Sequence, residues 1–88
     1  MANHPQAEKR NRQRINRQSH HRHFRTAMRT HVKRVRTAVA GNEVSQAQEA
    51  LKVAVPFIDR CAVKGIIPRK RASRTISRLT RAVSGLSD

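Results

Sequence analysis

Apolar residues recur at helical spacing in three stretches of this chain. In the first stretch they fall within an arc of about 80°, at about 100° per residue. These residues are Phe24, Met28, His31, Val35 and Val39. The second stretch comprises Val44, Ala47, Leu51, Ala54, Val55, Ile58 and Ala62, and the third comprises Ala72, Ile76, Leu79, Val83 and Leu86. Strand-like alternation of useful length does not occur, so the pattern predicts an all-α fold.

Glycine and proline separate the three apolar stretches. The predicted helices therefore span residues 6–40, 43–64 and 68–84. Gly41 is expected to cap the first helix, and Asn42 to be the N-cap of the second. Lys64 followed by Gly65 is typical of a helix C-terminus, because a cation there meets the negative end of the helix dipole and glycine tolerates a left-handed turn. Pro68 suits the first turn of the third helix.

The connections are short, so consecutive helices should be antiparallel neighbours in a three-helix bundle. Pro56 lies inside the second predicted helix, where it removes one backbone hydrogen bond and should kink the helix. Because the apolar spacing continues beyond Pro56, we expect a bend rather than a break.

The first predicted helix is much longer than its partners, at about 50 Å against about 25–33 Å. Its first part, residues 1–23, contains only one large aliphatic residue after Met1, which is Ile15, and its cations point all round the helix. Such a segment cannot be buried against protein. We expect residues 1–23 to be mobile in the free protein and helical on a nucleic acid, and residues 24–88 to form the bundle of a single domain.

The charge of the chain indicates that this small helical domain has a polyanionic partner. The 88 residues include 20 Lys and Arg against 5 Asp and Glu, a formal charge of +15, and 15 of the cations are Arg. Residues 1–40 carry 11 cations and one acid, residues 41–63 carry two and three, and residues 64–88 carry seven and one. This excess destabilises an isolated domain by self-repulsion, whereas Arg binds phosphate oxygens in pairs.

The kind of nucleic acid follows from what the sequence lacks. Phe24 and Phe57 are its only aromatics, too few for the stacking platform of a single-strand reader. There is no zinc-finger ligand set and no heptad repeat beside the basic region. These exclusions leave recognition of a folded, phosphate-dense RNA by shape and charge. A nucleoid-type DNA-compacting protein is the alternative, whereas a membrane-active helix would need large apolar groups among residues 1–23.

Other chemistry finds little support. His20, His21, His23 and His31 have no neighbouring carboxylate or Cys, so a metal site is not expected. The single Cys61 excludes an internal disulfide, indicates a reducing compartment and suits a small buried position. No 18-residue apolar run or secretory signal occurs, which predicts a soluble intracellular protein. The five scattered acids and the lack of a phosphate-binding glycine loop predict no enzyme, no cofactor and no small-molecule substrate.

Several stretches carry a resemblance to a known family. They are the Met1-Ala2-Asn3 start, Arg29-Thr30-His31-Val32-Lys33-Arg34-Val35, the Gly41-Asn42 turn, Lys64-Gly65-Ile66-Ile67, and then Lys70, Ala72, Arg74, Ser77, Arg78 and Leu79. Over essentially its whole length the chain resembles the bacterial small-subunit ribosomal protein S20 family, from which it departs at Arg71 and in the His-rich residues 20–23. The resemblance implies a three-helix bundle that binds small-subunit ribosomal RNA early in assembly, with its first helix between RNA segments.

The sequence thus predicts a structural RNA-binding protein, cytoplasmic and ribosome-bound, present as a monomer within the ribosome. It would support assembly by neutralising phosphates where RNA helices converge. The phosphate-binding residues expected along the first helix are Lys9, Arg10, Arg14, Arg17, Arg22, Arg25, Arg29 and Lys33. Those expected on the other side of the bundle are Lys64, Lys70, Arg71, Arg74 and Arg78.

Overall fold

The computed structural model describes residues 4–86 and consists of three helices over that range. Helix α1 spans His4–Ala40, α2 spans Val44–Val63 and α3 spans Arg69–Ser84. No strand occurs among the described residues. The all-α fold and its three helices are confirmed, while Met1-Ala2-Asn3, which carried part of the family resemblance, and the last two residues lie outside the described residues.

An entirely apolar core joins the second half of α1 to α2 and α3. The buried residues are Met28, Val35 and Ala38 of α1, Ala47, Ala54, Ile58 and Cys61 of α2, Ile66 and Ile67 of the connection, and Ala72, Leu79 and Val83 of α3. Within residues 5–86 no polar or charged side chain is buried. Burial of aliphatic surface therefore stabilises the bundle, and its charged residues take no part in the core.

The turn between α1 and α2 differs in detail from the prediction. The left-handed residue is Asn42, with a φ of 54°, whereas Gly41 is not left-handed. The amide of Asn42 donates to the carbonyl of Val39 and that of Glu43 to Ala38, the pair of bonds that defines a Schellman motif. Asn42 therefore ends α1 instead of capping α2, and the N-cap of α2 is Glu43, which makes no side-chain capping bond.

The connection from α2 to α3 follows the prediction closely. Gly65 adopts a φ of 77°, and the amide of Ile66 donates to the carbonyl of Cys61, again a Schellman motif. Ile66 and Ile67 are both buried, so the connection itself contributes to the core. Pro68 is the N-cap of α3 instead of a residue of its first turn, so α3 begins one residue later than predicted. The Pro68 carbonyl accepts from the amide of Ala72.

Helix α2 continues through Pro56, as the apolar spacing indicated. Proline has no N–H to donate to the carbonyl four residues earlier, which belongs to Lys52. Both Pro56 and Lys52 lie on the exposed side of α2, so water can hydrate that carbonyl. The missing hydrogen bond is thereby tolerated without a break.

Helix α1 extends far beyond the other two helices. Its 37 residues correspond to about 55 Å, against about 30 Å for α2 and about 24 Å for α3, and the molecule measures 68 × 21 × 15 Å. Every residue from 5 to 20 is exposed, and Ile15 retains 50% of its accessible surface. We call residues 4–20 the basic extension. Its helical conformation is described here, and its mobility in the free protein stays a prediction.

Candidate nucleic-acid interface

All 20 Lys and Arg residues are exposed, including every residue predicted to bind phosphate. This follows from the sequence pattern, because on α3 the buried residues Ala72, Leu79 and Val83 occupy one face and the cations the other. Glu43 is the N-cap of α2, and Glu49 and Asp59 lie on that helix. Helix α1 contains only Glu8 and α3 contains no acid, so the two cation-rich helices carry little opposing charge. The surface is therefore strongly positive along α1 and α3 and close to neutral along α2.

At about 100° per residue, the five cations of the basic extension spread over about 200° of the helix circumference, not all round it as predicted. Arg10 and Arg14 line a shallow groove of about 560 Å³ with the polar residues Gln6 and Asn11. Nη2 of Arg14 donates a hydrogen bond to Oδ1 of Asn11 at 3.1 Å, which restrains one guanidinium on the exposed helix. Lys9 and Arg17 lie in the same exposed segment. Every residue from 5 to 20 is exposed, so all of these cations are accessible to a partner.

A second, polar groove lies along the middle of α1. Arg22, Arg25 and Arg29 line this groove of about 730 Å³ together with Gln18 and His21. These residues follow one another at helical spacing, so the groove belongs to α1 alone. It brings together three of the residues predicted to bind phosphate and adds His21, which the sequence singled out as a histidine without assigning it to this site.

Cations of α1 and α3 meet in a third groove, of about 510 Å³. Arg29 and Lys33 line it from α1, and Arg71 lines it from α3. The prediction that Arg71 lies on the other side of the bundle from Arg29 and Lys33 is therefore wrong, because α3 packs back against α1. Arg36 also lines the groove, three residues after Lys33. It was absent from the predicted set, although at helical spacing it lies on the same face of α1 as Arg29 and Lys33.

The remaining predicted cations of α3, Lys70, Arg74 and Arg78, are exposed on that helix. They do not line the groove that Arg71 shares with Arg29 and Lys33. They occupy the polar face of a strongly amphipathic helix, with Leu79 buried on the other face. They remain candidates for phosphate contact on grounds of charge and exposure.

Lys64 lies in a cluster of rings where the basic extension joins the bundle. Its Nζ is 4.9 Å from the ring centroid of Phe24, within the range of a cation–π interaction. Phe24 stacks on Phe57 of α2 at a centroid distance of 5.7 Å, and His31 contacts Phe57 at 4.8 Å. His20 packs against the edge of Phe24 at 4.7 Å. These contacts fix the point at which α1 leaves the bundle, a role that the sequence did not indicate.

Other candidate chemistry was tested against the described residues. Within them, no three His, Cys, Asp or Glu side chains are grouped to hold a metal ion. Burial raises the pKa of the Cys61 thiol above its ordinary value of 9.0, while the charges of Arg60 and Lys64 act in the opposite direction. Cys61 is thus a small buried residue, as predicted. None of the helices over residues 4–86 combines the length and apolar character that crossing a bilayer requires.

The fold and its surface define the class, a small and strongly basic helical protein with a long exposed first helix. The family model of ribosomal protein S20 matches residues 2–84. The chain is 49% identical over 87 residues to the small ribosomal subunit protein bS20 of Geotalea daltonii, covering 99% of this chain and 100% of that protein. It is 46% identical over 88 residues to the bS20 of Acinetobacter baumannii, covering all of both.

The chain therefore belongs to the ribosomal protein S20 family. This confirms the resemblance drawn from the Gly41-Asn42 turn and from the residues that follow Lys64. It also confirms that the chain is a non-enzymatic structural protein and that its place in the cell is the cytoplasmic ribosome.

Proposed function

We propose that this protein binds small-subunit ribosomal RNA directly, through phosphate contacts, and that it supports the folding and assembly of the small subunit. The observation that carries the proposal is that all 20 cations are exposed while the core is purely apolar. None of these charges is needed inside the fold, and their mutual repulsion works against it. An RNA partner turns that cost into a favourable interaction.

The two halves of α1 suggest how the protein would act. The basic extension carries cations over more than half of its circumference and would lie between RNA segments, contacting phosphates of each. The second half of α1 is held by α2 and α3 and presents its cations on one side, except for Arg34 beside α2, so it would contact mainly one RNA surface. Neutralising phosphates on converging RNA helices removes the repulsion that keeps those helices apart. The protein would do this as a monomer within the ribosome.

The proposed contacts are those predicted from the sequence, together with Arg36. They are Lys9, Arg10, Arg14, Arg17, Arg22, Arg25, Arg29, Lys33, Arg36, Lys64, Lys70, Arg71, Arg74 and Arg78. If roughly ten of them contact phosphate at once, the affinity should fall by several orders of magnitude between low and moderate salt, because bound RNA releases its condensed counterions.

Competition binding tests the proposal. Labelled small-subunit ribosomal RNA is bound at about 150 mM salt, where the Debye length is about 8 Å. Random-sequence duplex DNA and an unrelated folded RNA are then added as competitors. We expect neither competitor to displace the ribosomal RNA at equal concentration. Displacement by both competitors at equal concentration would mean that charge alone is recognised, and would favour a DNA-compacting protein instead.

A further inference from the structure

The groove between α1 and α3 combines charge with an apolar floor. Arg29, Lys33 and Arg36 occupy successive turns of α1 and so extend over about 10 Å, and Arg71 faces them from α3. Beneath these cations lie Met28, which is only 6% exposed, and the half-buried Val32. The lining includes no acidic residue.

From this arrangement we propose that the groove binds one unpaired nucleotide of the RNA, with its base against the apolar floor and its phosphate between the cations. The inference rests on the proposed function and adds to it a site that recognises a base. A duplex presents mainly phosphates and sugars, and an apolar floor gives such a surface nothing to bind. An unstacked base does offer a flat apolar face.

The side chains of the groove suit each part of a nucleotide. Guanidinium groups, such as those of Arg29 and Arg71, bind phosphate oxygens in pairs and also stack on bases. Thr37 lies on the α1 wall and Thr75 on the α3 wall. Their hydroxyls both donate and accept, and so match base edges or the ribose 2′-hydroxyl. The volume of about 510 Å³ falls within the range of small-ligand sites.

The other grooves of the bundle do not share these features. The groove between α1 and α2 contains Glu43, whose negative charge would repel a phosphate. The groove along the middle of α1 is lined mostly by polar surface and belongs to one helix. Of the four grooves described above, the one between α1 and α3 is the one in which cations of two helices surround an apolar floor without an acid.

Chemical probing of the complex tests the proposal. Small-subunit ribosomal RNA is treated with dimethyl sulfate and with a carbodiimide, which together modify the pairing edges of unpaired bases, in the absence and presence of saturating protein. We expect at least one unpaired base to be protected by the protein. Thr75→Leu fills the groove, and should abolish that protection and weaken binding by roughly tenfold. Thr75→Ser keeps the hydroxyl and the space, and should preserve both.

Two further variants separate the groove from general effects. Arg78→Ala removes an exposed cation outside the groove, so it should weaken binding and leave the base protected at saturation. If Thr75→Leu fails to fold, Thr37→Leu fills the groove from an exposed position on α1 and should also abolish the protection. Protection that persists in a folded groove-filling variant, or protection of the RNA backbone alone, would overturn the nucleotide site and leave the proposed function intact. Failure of the unmodified protein to bind the RNA would overturn the proposed function itself.

Discussion

The two halves of α1 are built from one continuous helix and differ in almost everything else. In the basic extension every residue from 5 to 20 is exposed, and Ile15 is the only large aliphatic. In the second half, Val35 is completely buried, and the cations lie on one face of the helix apart from Arg34, which lines the groove between α1 and α2. The bundle is stabilised by its own buried contacts, whereas residues 5–20 of the extension contribute no buried side chain that could stabilise it.

Removing the charge of the basic extension should have the largest effect, and on RNA binding alone. Replacing its five cations, Lys9, Arg10, Arg12, Arg14 and Arg17, by Ala should lower affinity on the order of a thousandfold and reduce the salt slope by roughly four. The thermal midpoint of the bundle should not fall, because none of these residues packs against it. Binding titrations at several salt concentrations and thermal circular dichroism provide the measurements.

The matched control replaces five neutral residues of the same segment, Gln6, Asn11, Gln13, Asn16 and Gln18, by Ala. Charge and length are unchanged, so the affinity should stay close to that of the unmodified protein. A large loss in this control would show that the extension is recognised by more than its cations, and a lower thermal midpoint in the first variant would break the comparison.

A substitution that creates a cavity in the bundle should lower the stability of the fold instead of its affinity for RNA. Ile58 is completely buried, and Ile58→Ala should lower the free energy of unfolding by about 2–5 kcal/mol. Its counterpart in the extension is Ile15→Ala, for which we expect a change within about 0.5 kcal/mol. Urea unfolding of both variants gives the two values. Comparable destabilisation by the two substitutions would mean that Ile15 is packed against protein in solution.

Single cations of the two regions should behave alike towards RNA. Arg14→Ala in the extension and Arg29→Ala in the bundle should each reduce the salt slope by about one and weaken binding several-fold. Both side chains are exposed, so the helical circular dichroism signal should persist. Loss of that signal in Arg29→Ala would contradict the assignment of this residue to the outer face of α1.

The smallest expected effect is a pH dependence of the stability that the buried Cys61 contributes to the bundle. Burial raises the pKa of this thiol, so the folded state favours the neutral form. The stability that Cys61 contributes is present below the ordinary pKa of 9.0 and is lost as the pH rises through the folded value. The difference in unfolding free energy between the unmodified protein and Cys61→Ala should therefore shrink as the pH rises above 9.0, under reducing conditions. A constant difference would mean that the thiol is hydrated in the fold.

The helices could be predicted because local signals marked their ends. Gly65 and Pro68 stand where α2 ends and α3 begins, and the apolar spacing identified the buried faces. The choice between Gly41 and Asn42 as the left-handed residue could not be made locally. Both residues tolerate a positive φ, and which of them adopts it depends on where α2 must begin to bury Ala47.

The surface was harder to predict than the core. Periodicity assigned each cation to a face of its own helix, but not the position of that face relative to another helix. For this reason Arg71 was expected opposite Lys33 and instead shares a groove with it. The contact of Lys64 with Phe24 was missed in the same way, because it joins residues forty positions apart in sequence. Such pairs depend on how the helices pack against one another, and the periodicity within a single helix gives no information about that packing.

The absence of buried charge in residues 5–86 has a consequence for the free molecule. Its cations interact with one another mainly through water, so dissolved ions screen their repulsion. Added salt should therefore stabilise the unbound bundle at the same concentrations that loosen its hold on RNA. Repulsion among the cations is greatest when the protein is alone in dilute buffer. Bound RNA lowers this repulsion, as dissolved counterions do in the unbound protein.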